Sequence, residues 1–296
     1  GTGILEAAHA RGIPTILSVH DFWWMCERQF MIRPDGRYCQ NTPIKIESCR
    51  GCVADLAAAR ARHDHLNMMG ALADAVTYPS QFAYDLSSAS GFAPGRGVVL
   101  ENGVRLPDPD FGAAQTARRN SDPTLTFGFV GGPSQIKGWP TIKSAFGMLK
   151  QDDFRVVLVD GSQDGSWWTP EKFKNLPGEW RIHPRFDQQD MDQFYTQIDV
   201  LLFMSQWKET FGLAIREALA RGIKVIQTNS GGTVEHVAAS AADLIPIGAP
   251  ATQLRDQLVD TLAQHPNYRS QIAVNGYAAQ ATAFHQIAND VLGGHQ

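Results

Sequence analysis

Apolar positions in this chain come in two rhythms. A short continuous run at residues 200–204 matches a strand buried on both faces, and mostly apolar runs at 125–130 and 154–159 read as strands beside it. Shorter or less sharply apolar runs at 14–20, 75–78, 97–100, 180–183, 224–228 and 244–247 read as further strands. Between most of them apolar residues recur at helical spacing, over 52–72, 81–90, 141–150, 190–198 and 210–221. Strands alternating with helices predict an α/β fold built on doubly wound parallel sheets. One stretch, 103–112, breaks the alternation with two prolines and two glycines and reads as a linker. It divides the chain into a first domain, 1–104, and a second, 105–296. The second carries a complete set of strand–helix units. The first opens directly on a helix closed by Gly12, which predicts an incomplete domain with further sequence upstream. The end of the chain, 251–292, reads as helical and alanine-rich.

Composition narrows the partners. A length of 296 residues is enough for two medium domains with separate cores. The net charge of −4, with 19% charged residues and no long run of one sign, argues against a general nucleic-acid binder. No apolar run approaches the roughly 18 residues of a membrane span. No charged-then-apolar leader stands at the start. A cytoplasmic protein is expected, with association at the inner face of the membrane as the further option.

The most informative stretch is Ser205-Gln-Trp-Lys-Glu-Thr-Phe-Gly-Leu-Ala-Ile-Arg-Glu217, directly after the apolar run 200–204. A strand here runs into a short loop and then into a helix start carrying Gly212. Helix starts present unpaired N–H groups and partial positive charge, which suit a phosphate. Glu209 precedes the helix and Glu217 lies two turns into it, an E-x7-E spacing able to grip hydroxyls with two carboxylates. Three other segments carry chemistry. Gly131-Gly132-Pro-Ser-Gln-Ile-Lys137-Gly138 follows a strand, and Thr228-Asn-Ser-Gly231-Gly232-Thr-Val-Glu235 is a Gly-Gly turn with a glutamate. The run 14–20 delivers His20-Asp21 to the carboxyl end of a strand, where open α/β sheets bind ligands. Taken singly, each also reads as a solvated lysine, an ordinary glycine turn or a capped turn.

In this order the segments resemble the donor site of family 4 (group 1) glycosyltransferases. The resemblance rests on Ser205-x-Trp207-x-Glu209-Thr210-Phe211-Gly212-Leu213-x3-Glu217-Ala218-x-Ala220-x-Gly222 and is extended by Gly231-Gly232, Lys137-Gly138 and His20-Asp21. It implies the GT-B fold, two Rossmann-like domains facing across a cleft, with the last helix packing back towards the first domain. It implies transfer of a sugar from a nucleotide-diphosphate sugar to a hydroxyl acceptor, with retention at the anomeric carbon. By the same resemblance, Glu217 holds the nucleotide ribose and Glu209 the sugar hydroxyls. Lys137 and the N–H groups of Phe211, Gly212 and Leu213 hold the diphosphate. Gly131, Gly132, Thr210, Gly231, Gly232 and Glu235 complete the donor site, and His20 faces the sugar from the first domain. His20 and Glu209 are the catalytic candidates. The acceptor class would be a sugar, glycolipid or polysaccharide. The chain departs from the family pattern at Met204, where proline is usual, and at Gly132, where arginine is frequent. A nucleotide-sugar epimerase of the same fold and a non-catalytic nucleotide-sugar-binding module are the alternative readings.

Four cysteines, Cys26, Cys39, Cys49 and Cys52, cluster in one loop, 26–52. A Cys-x2-Cys with two more thiols can supply the four soft ligands of a structural zinc. Free thiols and disulfides are the alternatives, the last disfavoured without a secretory leader. No catalytic metal is expected: the D-x-D triplets Asp108-Pro-Asp110 and Asp190-Met-Asp192 fall in the linker and at a helix start. Phe22-Trp23-Trp24 reads either as core or as an apolar acceptor surface.

Overall fold

Two parallel sheets carry the chain in a computed structural model that describes residues 2–92, 95–236, 244–264 and 272–294. The first sheet has three short strands, β1 (Ile16–Ser18), β2 (Ala75–Tyr78) and β3 (Gly97–Val99), in that spatial order. Leu17 lies opposite Val76, and Thr77 opposite Val98. β2 is buried along its length, while β1 and β3 are only partly covered. Helices α1 (Gly3–His9), α2 (Leu56–Gly70) and α3 (Gln81–Ala89) accompany this sheet. Side chains fix the starts of the last two. Asp55 accepts from the N–H groups of Ala57 and Ala58, and Ser80 from that of Ala83, meeting donors that a helix start leaves unpaired.

The second sheet has five strands: β4 (Leu125–Val130), β5 (Phe154–Val159), β6 (Glu179–His183), β7 (Val200–Phe203) and β8 (Lys224–Gln227). Their spatial order is β6-β5-β4-β7-β8. The chain starts in the middle, winds out to β6, then returns to the other side of β4. The gap between β4 and β7 is therefore the topological switch point, where doubly wound sheets open a crevice for ligands. On one face β4, β5 and β7 pack against α5 (Trp139–Gly147) and α8 (Ala251–Gln264) around Phe127, Phe129, Phe146, Phe154, Trp139 and Trp168. On the other, Val157, Val159 and Leu201 meet α4 (Phe111–Ser121), α6 (Met191–Gln197) and α7 (Leu213–Ala220). After α8, helix α9 (Tyr277–Gly293) returns to the first sheet. Gln280 on it accepts from the Gly103 N–H at 2.8 Å, and Gly276 bridges Val104. Among the described residues no helix is long and apolar enough to cross a membrane.

The structure corrects the sequence expectations in three places. The stretch 103–112 ends inside α4, whose start was hidden by the preceding prolines and whose surface is mostly polar. Phe111 and a pair of arginines anchor that helix: Arg118 and Arg119 lie 2.6 and 2.8 Å from the buried Asp199 carboxylate. The run 244–247 forms only a bridge, Thr228 to Ile245, beside the end of β8. The helix expected from 210 begins at Leu213, because Gly212 adopts a left-handed conformation (φ 85°) that interrupts it. Residues 265–271, inside the expected terminal helical region, lie outside the described residues.

Candidate active site

Two loops leave the carboxyl ends of β4 and β7, on either side of the switch point. They are joined by main chain. The Gln206 N–H donates to the Ile136 carbonyl at 2.8 Å. Gly138 (φ 78°) sits so close to the Met204 carbonyl that a Cβ there would overlap it. This close approach carries Lys137 across to the β7 loop. Its Nζ stands 3.0 Å from Glu209 Oε1, and the same oxygen accepts from Ser205 Oγ at 2.7 Å. The Glu209 side chain is 13% exposed and that of Lys137 37%, so the carboxylate is held while the ammonium can be reached from solvent.

The β7 loop rests in turn on the Gly-Gly turn. The Glu209 N–H donates to Ser230 and the Gly232 N–H to Glu209, both at 3.0 Å. Gly232 faces the Thr210 carbonyl and Ser80 Oγ with no space for a side chain. Arg216, buried on α7, binds the turn from beneath by donating to the carbonyls of Phe211, Thr233 and Gly232 at 3.0, 2.7 and 3.0 Å. Burial lowers the Arg216 pKa to about 10, which leaves it charged at neutral pH. Nothing in the sequence marks this arginine, since its position reads as an ordinary helix face.

The start of α7 has no side-chain cap, and Leu213 in its first turn is half exposed. Unpaired N–H groups at such an end form an anion seat. About one turn on, Glu217 Oε2 accepts from the Tyr195 hydroxyl at 2.9 Å. Burial pushes the Glu217 carboxyl above its ordinary range, opposed by the Tyr195 bond and the charge of Arg221. Tyr195 is shifted upward too, by its burial and by the neighbouring carboxylate.

The first sheet closes on the same loops. Thr210 Oγ1 donates to the His20 carbonyl at 2.7 Å, and Ser80 Oγ to the Thr210 carbonyl at 2.6 Å. Glu235 accepts from the N–H groups of Gln81 and Phe82 at 2.8 and 2.5 Å, so its carboxylate covers the start of α3. Trp207 is buried in the core of the first unit, 4.9 Å from the Phe30 ring. Lys137, Glu209, Thr210, Gly231 and Gly232 thus form one connected frame. Glu217 stands beyond it with Tyr195. His20 meets the frame through its backbone, and the residue lines a cavity of about 330 Å³ shared with Tyr277, Gln280 and Phe284 of α9.

The four cysteines on which a structural zinc is expected, Cys26, Cys39, Cys49 and Cys52, lie in one loop. All four are free, half-buried thiols. Burial first, then their mutual proximity, raises the Cys49 pKa to about 11 and moves Cys26 and Cys52 in the same direction. Among the described residues no group of three or more His, Cys, Asp or Glu side chains is arranged to hold a metal ion. One carboxylate of each D-x-D triplet has an arginine partner: Arg105 for Asp108, and Arg221 for Asp192. The aromatic triplet divides, with Phe22 fully buried and Trp23 42% exposed beneath the Arg62 guanidinium, 4.5 Å from the ring centroid.

Comparison with known proteins adds to this geometry. Residues 114–278 match the family model described as glycosyl transferases group 1. No curated protein matches the sequence. Among solved structures, the chain is similar to HepE of Anabaena in complex with UDP and glucose (TM-score 0.63, 16% identity, 98% of this chain and 76% of that one). It is also similar to sucrose-phosphate synthase of Thermosynechococcus elongatus (TM-score 0.66, 20% identity, 99% and 77%). A glycosyltransferase of Rickettsia africae gives a TM-score of 0.64 at 17% identity, over 98% and 79% of the two chains. At these identities the likeness is one of fold, and the fold is GT-B, as the sequence predicts.

Proposed function

This chain belongs to the group 1 glycosyltransferases, and from that premise we propose that it transfers a sugar from a nucleotide-diphosphate sugar to a hydroxyl acceptor, with retention, as a family 4 enzyme. The observation that carries the reading is the Lys137–Glu209–Ser205 cluster, beside the uncapped start of α7 at the switch point. In this reading the diphosphate lies between Lys137 and the N–H groups of Phe211, Gly212 and Leu213. Without donor, Glu209 neutralises Lys137. A bound diphosphate takes over the ammonium and leaves Glu209 to accept from sugar hydroxyls. Glu217 holds the ribose, its Tyr195 bond fixing the side chain.

The bond from the anomeric carbon to the diphosphate oxygen breaks as the acceptor oxygen bonds to that carbon on the same face. The acceptor proton passes to the leaving phosphate oxygen. Lys137 offsets the charge that develops there, an effect of electrostatic stabilisation fixed in advance by the fold. His20 orients the sugar or the acceptor. The acceptor is a sugar, glycolipid or polysaccharide hydroxyl, met in the cytoplasm or at the inner membrane face.

Ligand-observed NMR against a panel of nucleoside diphosphates and nucleotide sugars tests the donor site. At least one should bind, and Glu217→Ala should weaken it. In turnover assays with that donor, Lys137→Ala should cost about 10²–10³ in rate. Binding by no member of the panel, or binding untouched by Glu217→Ala, rejects the assignment.

A further inference from the structure

Trp167 has no role in the site described so far. It lies in the loop after β5 and is 43% exposed. Its ring rests on two glycines, one at each of two neighbouring strand ends. A Cβ on Gly132, after β4, would lie 3.1 Å from the indole, and one on Gly161, after β5, would lie 2.8 Å from it. Val130 and Val159 are paired in register, so these glycines sit side by side just beyond the sheet edge. The loop that holds the ring is itself fixed. Asp160 accepts from the N–H groups of Ser162 and Trp167 at 3.1 and 3.2 Å and from the Ser166 hydroxyl. The indole therefore lies against the backbone of both glycines, and the residue remains partly open to solvent beside the carboxyl ends of β4 and β5.

Its position relative to Lys137 gives the ring a direction. A Cβ on Gly131 would contact the Lys137 side chain, while one on the next residue, Gly132, would contact Trp167. The two side chains flank a single glycine pair. Lys137 leans towards β7, where Glu209, Thr210 and the first sheet lie. Trp167 lies on the opposite side, over β5. A diphosphate seated at Lys137 with its sugar towards Glu209 leaves the base, beyond the ribose at Glu217, as the end that can reach towards β5. Gly132 is also where the family pattern often has an arginine. A side chain there would displace the indole, so the missing arginine and the tryptophan platform are two aspects of one local arrangement.

We propose that Trp167 is a stacking platform for the nucleobase of the donor, an inference that rests on the donor-site reading above. Base–indole stacking uses the π-face that every base has, so the platform adds affinity without strong selection of base. Isothermal titration of UDP, GDP, ADP, a sugar conjugate of each and inorganic pyrophosphate into wild type, Trp167→Phe and Trp167→Ala tests it. Trp167→Ala should weaken every nucleoside diphosphate that wild type binds by about tenfold. Trp167→Phe should recover most of the loss, and pyrophosphate should bind all three proteins alike. Equal weakening of pyrophosphate makes Trp167 a support for the loop and overturns the proposal. So does unchanged nucleoside diphosphate binding in Trp167→Ala. An effect seen with sugar nucleotides but not with UDP, GDP or ADP moves the contact to the sugar and overturns it too. If wild type binds none of the nucleotides, the donor site itself fails, an outcome distinct from these three.

Discussion

The two sheets solve the same problem by different means. The five-stranded unit covers both faces of its strands with helices, and its aromatic core is made of residues from those strands, helices and one adjoining loop. The three-stranded unit has strands of three or four residues, and much of its core comes from irregular chain: Phe22, Met25, Met31, Ile44 and Ile46. One of its buried core residues, Trp207, belongs to the loop after β7 of the other unit. The seam between the units is therefore shared core as well as cleft wall. Any opening motion at the site has to unpack an indole and break the Thr210, Ser80 and Glu235 hydrogen bonds.

The strongest way to break this comparison is Trp207→Ala. If the first unit borrows its core, the substitution should cost about 3–5 kcal/mol in urea unfolding, as for other large buried aromatics. The loss should be read first in amides of the first sheet by hydrogen exchange. A loss below about 1 kcal/mol, or exchange changes confined to the β7 loop, would show that the first unit stands by itself. A smaller effect is expected at the edge of the same seam. Glu235→Ala leaves the N–H groups of Gln81 and Phe82 without their carboxylate and should cost about 1 kcal/mol, the usual value of a helix cap. Faster exchange at those two amides would report it directly; unchanged exchange there would mean that water replaces the carboxylate at no cost.

The difference between the units also explains what could be read from sequence. β4 and β5 are mostly apolar runs, broken only by Thr126 and by Arg155, and their bounds are legible to the residue. So are the glycines of the loops after β4, β7 and β8, because Gly138, Gly212 and Gly231 need positive φ, and Gly232 has no space for a side chain. The first unit is less legible, since a core built from loops has no period to detect. Partnerships across long sequence separations are not legible at all. Glu235 resembles a ligand-binding glutamate in its motif, yet it caps a helix more than 150 residues earlier in the chain. The cysteine spacing suggested metal, but whether four thiols form a ligand group depends on the path of the loop between them. Trp167 carries no motif, and only the packing of its ring on Gly132 and Gly161 singles it out.

The smallest effect, and the most diagnostic of the ligand-facing side of the comparison, concerns Glu217. Burial raises its pKa in the folded protein above the ordinary 4.5. A carboxyl raised in this way contributes stability that is fully present below its unfolded pKa and lost as pH rises through the folded one. At neutral pH the ionised group is thus a small liability to the fold, incompletely offset by Tyr195 and Arg221. Glu217→Gln keeps the shape and an oxygen for the Tyr195 hydroxyl but removes the charge. Relative to wild type it should show no gain in urea midpoint near pH 4 and a gain of up to about 1 kcal/mol at pH 7 and above. Binding of UDP should weaken over the same range, because an ionised carboxylate accepts from ribose hydroxyls more strongly than an amide does. A variant less stable than wild type at every pH would make Glu217 part of the structural frame. A stabilised variant that binds UDP more weakly would identify it as a residue kept for the ligand at some cost to the fold.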